Sequence, residues 1–357
     1  MFKVQIRPHW EISFDAQAPL DTSALLSLLL AVQDQGSIAQ AAKSVKLSYR
    51  YAWGLLREAE RLFGASLLQT GRGRGTSLTP LAEKLVWADR RIAARLSPTL
   101  DSLASELESE LGKMAAEKLQ MIRMDASHGF AVAALMAHLD KVEMPIELRY
   151  RNSTDAVAAL ARRECDLAGF HVPCGEYEKA AMAWYTRWLD PGQHCLVQLA
   201  VRHQGLFVAA GNPLSIAELA DLARPGVRFV NRQVGSGTRM LLELMLSAQG
   251  VSPHDIGGFS SAEFTHSAVA AYIASGMADV GFGVRTAAQR FGLDFIPLVR
   301  ERYFFAMRLD AAGEPLMRQF IAILQTPEYH ARVDELTGYD AADTGRILSL
   351  DEAFGAA

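Results

Sequence analysis

The sequence predicts an α/β protein in two parts: an N-terminal winged helix-turn-helix with a linker helix, then a two-lobed α/β domain. Three observations predict it. Two helical stretches joined by a tight turn run into a glycine-arginine hairpin across residues 37–80. A leucine seam with helical spacing follows through residues 81–111. Beyond Gly112, apolar strands alternate with helices, and small polar groups recur where each strand ends. The 357 residues suffice for two or three cores of roughly 100–200 residues each. The divisions expected are 1–80 for the winged helix, 81–116 for the linker and 117–357 for the two lobes, the second lobe filling about 205–297.

Composition narrows the function classes. With 50% hydrophobic and 21% charged residues the chain has ordinary globular composition. Its start lacks a basic-then-apolar leader, and the longest apolar run, "LLSLLLAV" at 25–32, is far below the roughly 18 residues that span a bilayer. A cytoplasmic protein with no membrane partner is expected. Cys165, Cys174 and Cys195 form an odd set without CxxC spacing, which fits a reducing compartment. They read as buried thiols; the alternative is a zinc site of His171 and Cys174 with Cys195 or His203. No metal or cofactor is otherwise expected. The net charge of -4 conceals a basic block: Lys43 to Arg95 carries 11 basic against 4 acidic residues, a local +7 that leaves -11 elsewhere. One part of the chain is therefore suited to a polyanion.

The N-terminal elements follow in order. Val4 and Ile6 alternate as in a strand. "DTSALLSLLLAVQDQG" reads as a helix capped by Asp21 or Thr22 and stopped by a left-handed Gly36. Ser37 can cap a short helix through Val45, Lys46 and Leu47 turn, and Ser48 can cap a longer helix ending at Gly64. In that helix Ala52, Leu55, Leu56, Ala59, Leu62 and Phe63 form the buried stripe. Tyr49, Arg50, Trp53 and Arg57 are left on or beside the outer face, with Ser48, Tyr49 and Arg50 placed to read base edges. Trp53 and Tyr49 serve equally well as packing residues. "LLQTGRGRGTSLTP" then reads as a wing whose Arg72 and Arg74 follow phosphates or enter a minor groove. Ser37, at the start of the first helix of the pair, joins this DNA-contacting set.

Leu81, Leu85, Ile92, Leu96, Leu100, Leu103, Leu107 and Leu111 form a seam that pairs two chains, or packs a helix on its own domain. Pro98 predicts a kink, or two abutting helices with Ser97 as the second cap. A homodimer, with a tetramer as its doubling, would set two recognition helices on half-sites about one DNA turn apart.

"GSIAQAAKSVKLSYRYAWGLLREAER", with "TGRGRGTSLTPLAEKL" behind it, resembles the winged helix of molybdate-responsive ModE-type regulators and, more distantly, of LysR-type regulators. The run at 48–53 is the most specific part, and the resemblance covers roughly residues 20–115. It implies sequence-specific binding to a double-stranded DNA operator as a dimer.

In the C-terminal part "LQMIRM" leads into a helix over "GFAVAALMAHLD", "IELRYR" into "NSTDAVAALARREC", and "DLAGFHV" follows. Such alternation means a parallel sheet with crossover helices, and ligands bind at the carboxyl ends of such strands. Ser127 and His128, then Asn152, Ser153 and Thr154, then His171 stand there. A second block repeats the logic, with "GLFVAAGNP" and "VRFV" as strands and "NRQVGSGTR" as a glycine loop opening a helix. "EFTHSAVAAYIASGMADVGFG" supplies another polar turn and helix. Two such lobes, crossed near 196–206 and 297–305, describe a periplasmic-binding-protein-like (type II) fold.

"GNP", "LARPGVRFVNRQVGSGTR", "EFTHSAVAAYIASGMADVGFG" and "LDFIPLVRERY" resemble the molybdate-binding-protein-like domain fused to winged helices in some bacterial regulators, over about residues 118–345. This implies a hinge-closing sensor of a small oxyanion. The small β-barrel molybdate domains usual in ModE-type regulators are absent, so molybdate rests on this second resemblance alone.

"NRQVGSGTR" is not a Walker A loop, because no lysine follows, nor a GxGxxG fingerprint after the first strand. Asn231, Gly235, Ser236, Gly237 and Thr238 form a glycine turn whose amides and hydroxyls suit an anion. Arg239 either adds a charge or pairs with Glu243 at i+4. Thr265, His266 and Ser267 open another helix across the cleft. Glu263, if it faces inward, would supply the acceptor that a protonated oxyanion needs. Histidines 128, 171 and 266 are either structural or ligand contacts. Neither GxSxG nor HExxH appears, so an enzyme is not expected. The expected protein is a one-component regulator of transcription sensing molybdate or tungstate. The alternatives are formate or another small carboxylate as effector, and an oxyanion-binding protein without a regulatory role.

Overall fold

The computed structural model describes residues 3–13, 19–71, 75–115 and 121–355. Its chain divides into two compact units, Arg7–Ala93 and Ala94–Ala357, the latter joined by residues 1–6.

The first unit is built on three helices, α1 (Thr22–Gln35), α2 (Ile38–Ser44) and α3 (Tyr49–Phe63), and a two-stranded ladder, β1 (Leu68–Gly71) with β2 (Gly75–Leu78). Each helix starts on a side-chain cap: Asp21 accepts from the Ala24 amide, Ser37 from Gln40 and Ser48 from Tyr51. Gly36 and Gly64 end α1 and α3 in the left-handed region, as the cap pattern predicts. Leu25, Leu28, Leu29 and Val32 of α1 bury against Ala41 and Ala42 of α2 and Ala52, Leu55, Leu56 and Ala59 of α3. Gly75 is required by close approach: its φ is +73°, and a Cβ there would lie 2.7 Å from the Gly36 carbonyl oxygen. Val4 and Ile6 form no strand; the segment instead carries an isolated bridge between Ile12 and Leu20.

Helix α4 (Pro80–Ala115) runs as one element through Pro98, so no second helix starts at Ser97. Proline cannot donate to the carbonyl four residues behind it, here Ala94. That oxygen accepts instead from the Thr265 hydroxyl at 2.9 Å. Ser97 bonds Asp101 at 3.0 Å rather than capping a new helix. Leu96, Leu103 and Leu107 of the seam are exposed.

The larger unit is one curled mixed sheet in the order β4-β3-β5-β10-β6-β9-β7-β8. Its first lobe holds β3 (Ile122–Ala126), β4 (Ile146–Tyr150) and β5 (Leu167–Pro173), parallel, with helices α5 (Phe130–Lys141), α6 (Ser153–Ala161) and α7 (Glu178–Met182). The second holds β7 (Phe229–Arg232), β8 (Ala262–Glu263) and β9 (Val280–Val284), also parallel, with α8 (Gly237–Ala248), α9 (His266–Ala274) and α10 (Arg285–Arg290). Between them run two 15-residue strands, β6 (His194–Val208) and β10 (Asp294–Arg308), antiparallel to each other and common to both lobes. The sheet is therefore mixed where alternation predicts parallel pairing throughout, and "GLFV" is the far half of β6 rather than a new strand. Helices α11 (Pro315–Leu324) and α12 (Pro327–Asp334) return to the first lobe, and β11 (Tyr339–Asp340), β12 (Ile347–Leu348) and α13 (Leu350–Phe354) close the chain. Each lobe has an apolar layer on both sheet faces.

Candidate functional site

Four helix N-termini meet at one cavity of about 140 Å³. Two come from each lobe. Ser127 and His128 precede α5, and Asn152 and Ser153 open α6; opposite them, Ser236, Gly237 and Thr238 open α8 and His266 opens α9. First-turn amides have no carbonyl a turn behind them, so each terminus presents free donors and the positive end of a dipole. The lobes approach closely here: a Cβ on Gly237 would lie 3.6 Å from the Ser153 hydroxyl oxygen.

Local bonding decides which groups are free for a ligand. The Ser236 hydroxyl accepts from the Arg239 amide, and its own amide bonds Gln233, leaving the Gly237 and Thr238 amides at the helix start. Asn152 accepts from the Asp155 amide and from the Thr154 hydroxyl. His171 lines the cavity from β5; its Nδ1 lies 3.3 Å from the Ser127 hydroxyl, and its buried Nε2 has no partner. The Nδ1 of His266 is also unpartnered, packed on Gly283, where a Cβ would come within 2.6 Å.

Several residues expected at the site lie elsewhere. Arg239 pairs with Glu243 at 2.8 Å and stacks on Phe259. Thr265 caps α9 and holds the Ala94 carbonyl. Asn231 is buried, bonding the Phe259 carbonyl and the Arg232 amide. Thr154, Gly235 and Ser267 are not among the lining residues, although Gly235 has the positive φ, +81°, that its turn requires. Glu263 is buried but does not line the cavity, so no carboxylate is among the lining residues. Among the described residues no cluster of His, Cys, Asp or Glu could hold a metal ion.

In their place stand arginines absent from the expected set: Arg95, Arg151, Arg202 and Arg232. Arg151 is neutralised by Asp125 at 3.0 Å, and Arg202 by Glu301 at 2.8 Å. Arg232 differs. It is buried, donates through Nη2 to the Phe264 carbonyl at 2.8 Å, leaves Nε unpartnered, and has no ion pair among the described residues. Burial, then the neighbouring Arg202, push its pKa down to about 9, so it stays charged at neutral pH. The histidines respond to the same environment. Burial and Arg232 lower His128 to about 4, and burial with the two arginines lowers His171 and His266 well below the ordinary histidine range. All three are neutral at pH 7.

This dictates a pH dependence. Below about 6.5 the unfolded chain protonates these histidines while the folded one resists, so stability present above that pH is lost as pH falls toward 4. The expected slope is about 1.4 kcal/mol per pH unit for each histidine. Urea denaturation at pH 7.5, 6.5 and 5.5 measures it; an unchanged free energy between 6.5 and 5.5 contradicts it.

In the smaller unit, Tyr49, Arg50, Trp53 and Arg57 are all exposed along α3. Tyr49 meets Trp53 edge-on at 6.3 Å, and the Arg57 guanidinium lies 5.9 Å from the Trp53 ring, so Trp53 is an outer-face rather than a core residue. Ser37 and Ser48 serve as caps and remain able to donate their hydroxyl protons. Arg72 and Arg74 lie outside the described residues.

A model of bacterial regulatory helix-turn-helix proteins of the lysR family matches residues 24–83, and a PBP superfamily domain matches residues 133–325. The chain belongs to the PBP superfamily through its larger domain and carries a helix-turn-helix region of the lysR family. It is 31% identical over 226 residues to the uncharacterized protein YvgK of Bacillus subtilis (strain 168), covering 63% of this chain and 73% of that one. It is 26% identical to the HTH-type transcriptional regulator CbbR of Sinorhizobium medicae (strain WSM419), covering 80% and 86%. It is 30% identical over 144 residues to the molybdenum-pterin-binding protein MopB of Rhodobacter capsulatus, covering 39% and 52%. These matches support a LysR-type, DNA-binding regulator of transcription with a ligand-binding domain. Among the described residues no helix is long and apolar enough to cross a membrane.

Proposed function

We propose that this regulator senses a fully deprotonated tetrahedral oxyanion, molybdate or tungstate, in the cleft between its lobes. Arg232 carries the reading. A buried guanidinium without an ion pair is costly, and a bound anion relieves that cost. The lining adds helix amides and hydroxyls but no carboxylate, which suits an ion that only accepts hydrogen bonds over one that must also donate. At about 140 Å³ the cavity is well below the roughly 300–1,000 Å³ that accommodates drug-sized ligands. The similarity to MopB, whose name carries a molybdenum compound, favours a group-six oxyanion over sulfate or formate.

In this reading residues 1–80 bind DNA, α4 dimerises through its exposed leucines, residues 117–357 bind the effector, and the protein works in the cytoplasm. Lobe closure biases the spacing of the two recognition helices and so the operator affinity. Calorimetry with molybdate, tungstate, sulfate, phosphate and formate tests the effector; preference for formate overturns it. Operator affinity measured with and without saturating effector tests the switch, and equal values refute it. On DNA, Arg50→Ala should relax preference at one base pair by about 1–3 kcal/mol, whereas Arg72→Ala should mainly lower the salt slope by about one. Identical losses on all sequences for both variants would remove that division of roles.

A further inference from the structure

The cavity is not closed by the two lobes alone. Arg95, Pro98 and Thr99 of α4 line it as well, so a segment of the linker helix forms one wall. Both lobes hold that segment. From the second, the Thr265 hydroxyl donates to the Ala94 carbonyl at 2.9 Å, the oxygen that Pro98 leaves without a helical donor. From the first, edge strand β4 donates its Tyr150 and Leu148 amides to the Ser102 and Ser105 hydroxyls, each at 2.9 Å. Arg95 is thereby fixed over the cleft. It forms a long ion pair with the buried Glu263, 3.9 Å from Nε and beyond hydrogen-bonding range, and its guanidinium lies 5.2 Å from the Phe264 ring.

Charge accounting gives Arg95 a role. Of the four arginines lining the cavity, Arg151 and Arg202 are ion-paired with carboxylates at 3.0 and 2.8 Å, Arg95 holds only the long 3.9 Å pair with Glu263, and Arg232 has no ion pair among the described residues. Arg232 alone balances one negative charge. We propose that Arg95, carried by the linker helix, supplies the second charge and so selects doubly over singly charged anions. The inference rests on the reading that this cleft holds a small anion. It also means that the selecting charge belongs to the helix leading to the DNA-binding unit, so a bound dianion draws on that helix directly.

The test is calorimetry on full-length wild-type, Arg95→Gln and Arg95→Lys proteins, with molybdate and sulfate as dianions and formate as monoanion. Arg95→Gln should weaken both dianions about tenfold or more and formate less than about threefold, and Arg95→Lys should restore most of the difference. Equal losses for dianions and formate, or none, overturn the inference while the oxyanion reading stands. A wild type that takes sulfate rather than molybdate, with the same Arg95 dependence, supports it and overturns only the choice of metal oxyanion. A wild type that binds none of them, or formate best, overturns both.

Discussion

Arg232→Met should abolish oxyanion binding without unfolding the protein. The native side chain brings a charge into the interior with Nε unbonded and no ion pair among the described residues. Removing one partner of a buried, hydrogen-bonded charge pair costs about 2–5 kcal/mol of affinity, or roughly thirtyfold to several thousandfold. The ligand-free protein loses only the bond to the Phe264 carbonyl, worth about 1 kcal/mol, and no longer buries an uncompensated cation. Its unfolding free energy should therefore stay within about 1 kcal/mol of wild type. Ligand-dependent thermal shifts give the first reading and urea titration the second. Retained binding would mean that the anion is held elsewhere.

Glu301→Leu should do the opposite. Glu301 accepts from Arg202 at 2.8 Å and from the Gln204 side-chain amide at 2.6 Å, all three groups being buried on the two crossing strands. Without it Arg202 becomes a second unpaired interior charge, at a cost of about 3–5 kcal/mol. In a unit of this size the melting temperature should fall on the order of 10 °C. The double variant Arg202→Met with Glu301→Leu should recover most of that loss, since neither charge then remains alone. If the double variant is no more stable than Glu301→Leu, the carboxylate acts through packing rather than charge.

The two arginines mark the limit of what the sequence discloses. Local rules found α1 to α3, their caps and glycine stops, because Asp21, Ser37, Ser48, Gly36 and Gly64 act within three or four residues of themselves. The strand-end rule found Ser127, His128, Asn152, Ser153, His171, Ser236, Gly237, Thr238 and His266, which line the cavity. Arg232 ends β7 and obeys the same rule, whereas Arg239, the arginine that the glycine turn points to, turns back to its own helix. Arg202 was not legible. Its partner is 99 residues away on β10, and only tertiary pairing shows that the charge is satisfied. Arg95 was less so, since nothing local links a linker helix to a cleft formed by later strands. The continuity of α4 through Pro98 was hidden for the same reason: the compensating hydroxyl of Thr265 lies 171 residues downstream.

The long pair β6 and β10 also carries a consequence for how such a molecule can be rebuilt. Val208 and Asp294, where the chain leaves for the second lobe and returns from it, are direct partners across one antiparallel ladder. Residues 209–293 are thus, topologically, a cassette plugged into a hairpin, entering and leaving at adjacent points. Exchanging the cassette between related chains would replace much of the cavity lining in one graft, Arg232 and the α8 and α9 termini among it, while Arg95, Arg202 and His171 stayed with the host. Effector range can therefore change by recombination at two neighbouring positions, with the DNA reader and its helix untouched.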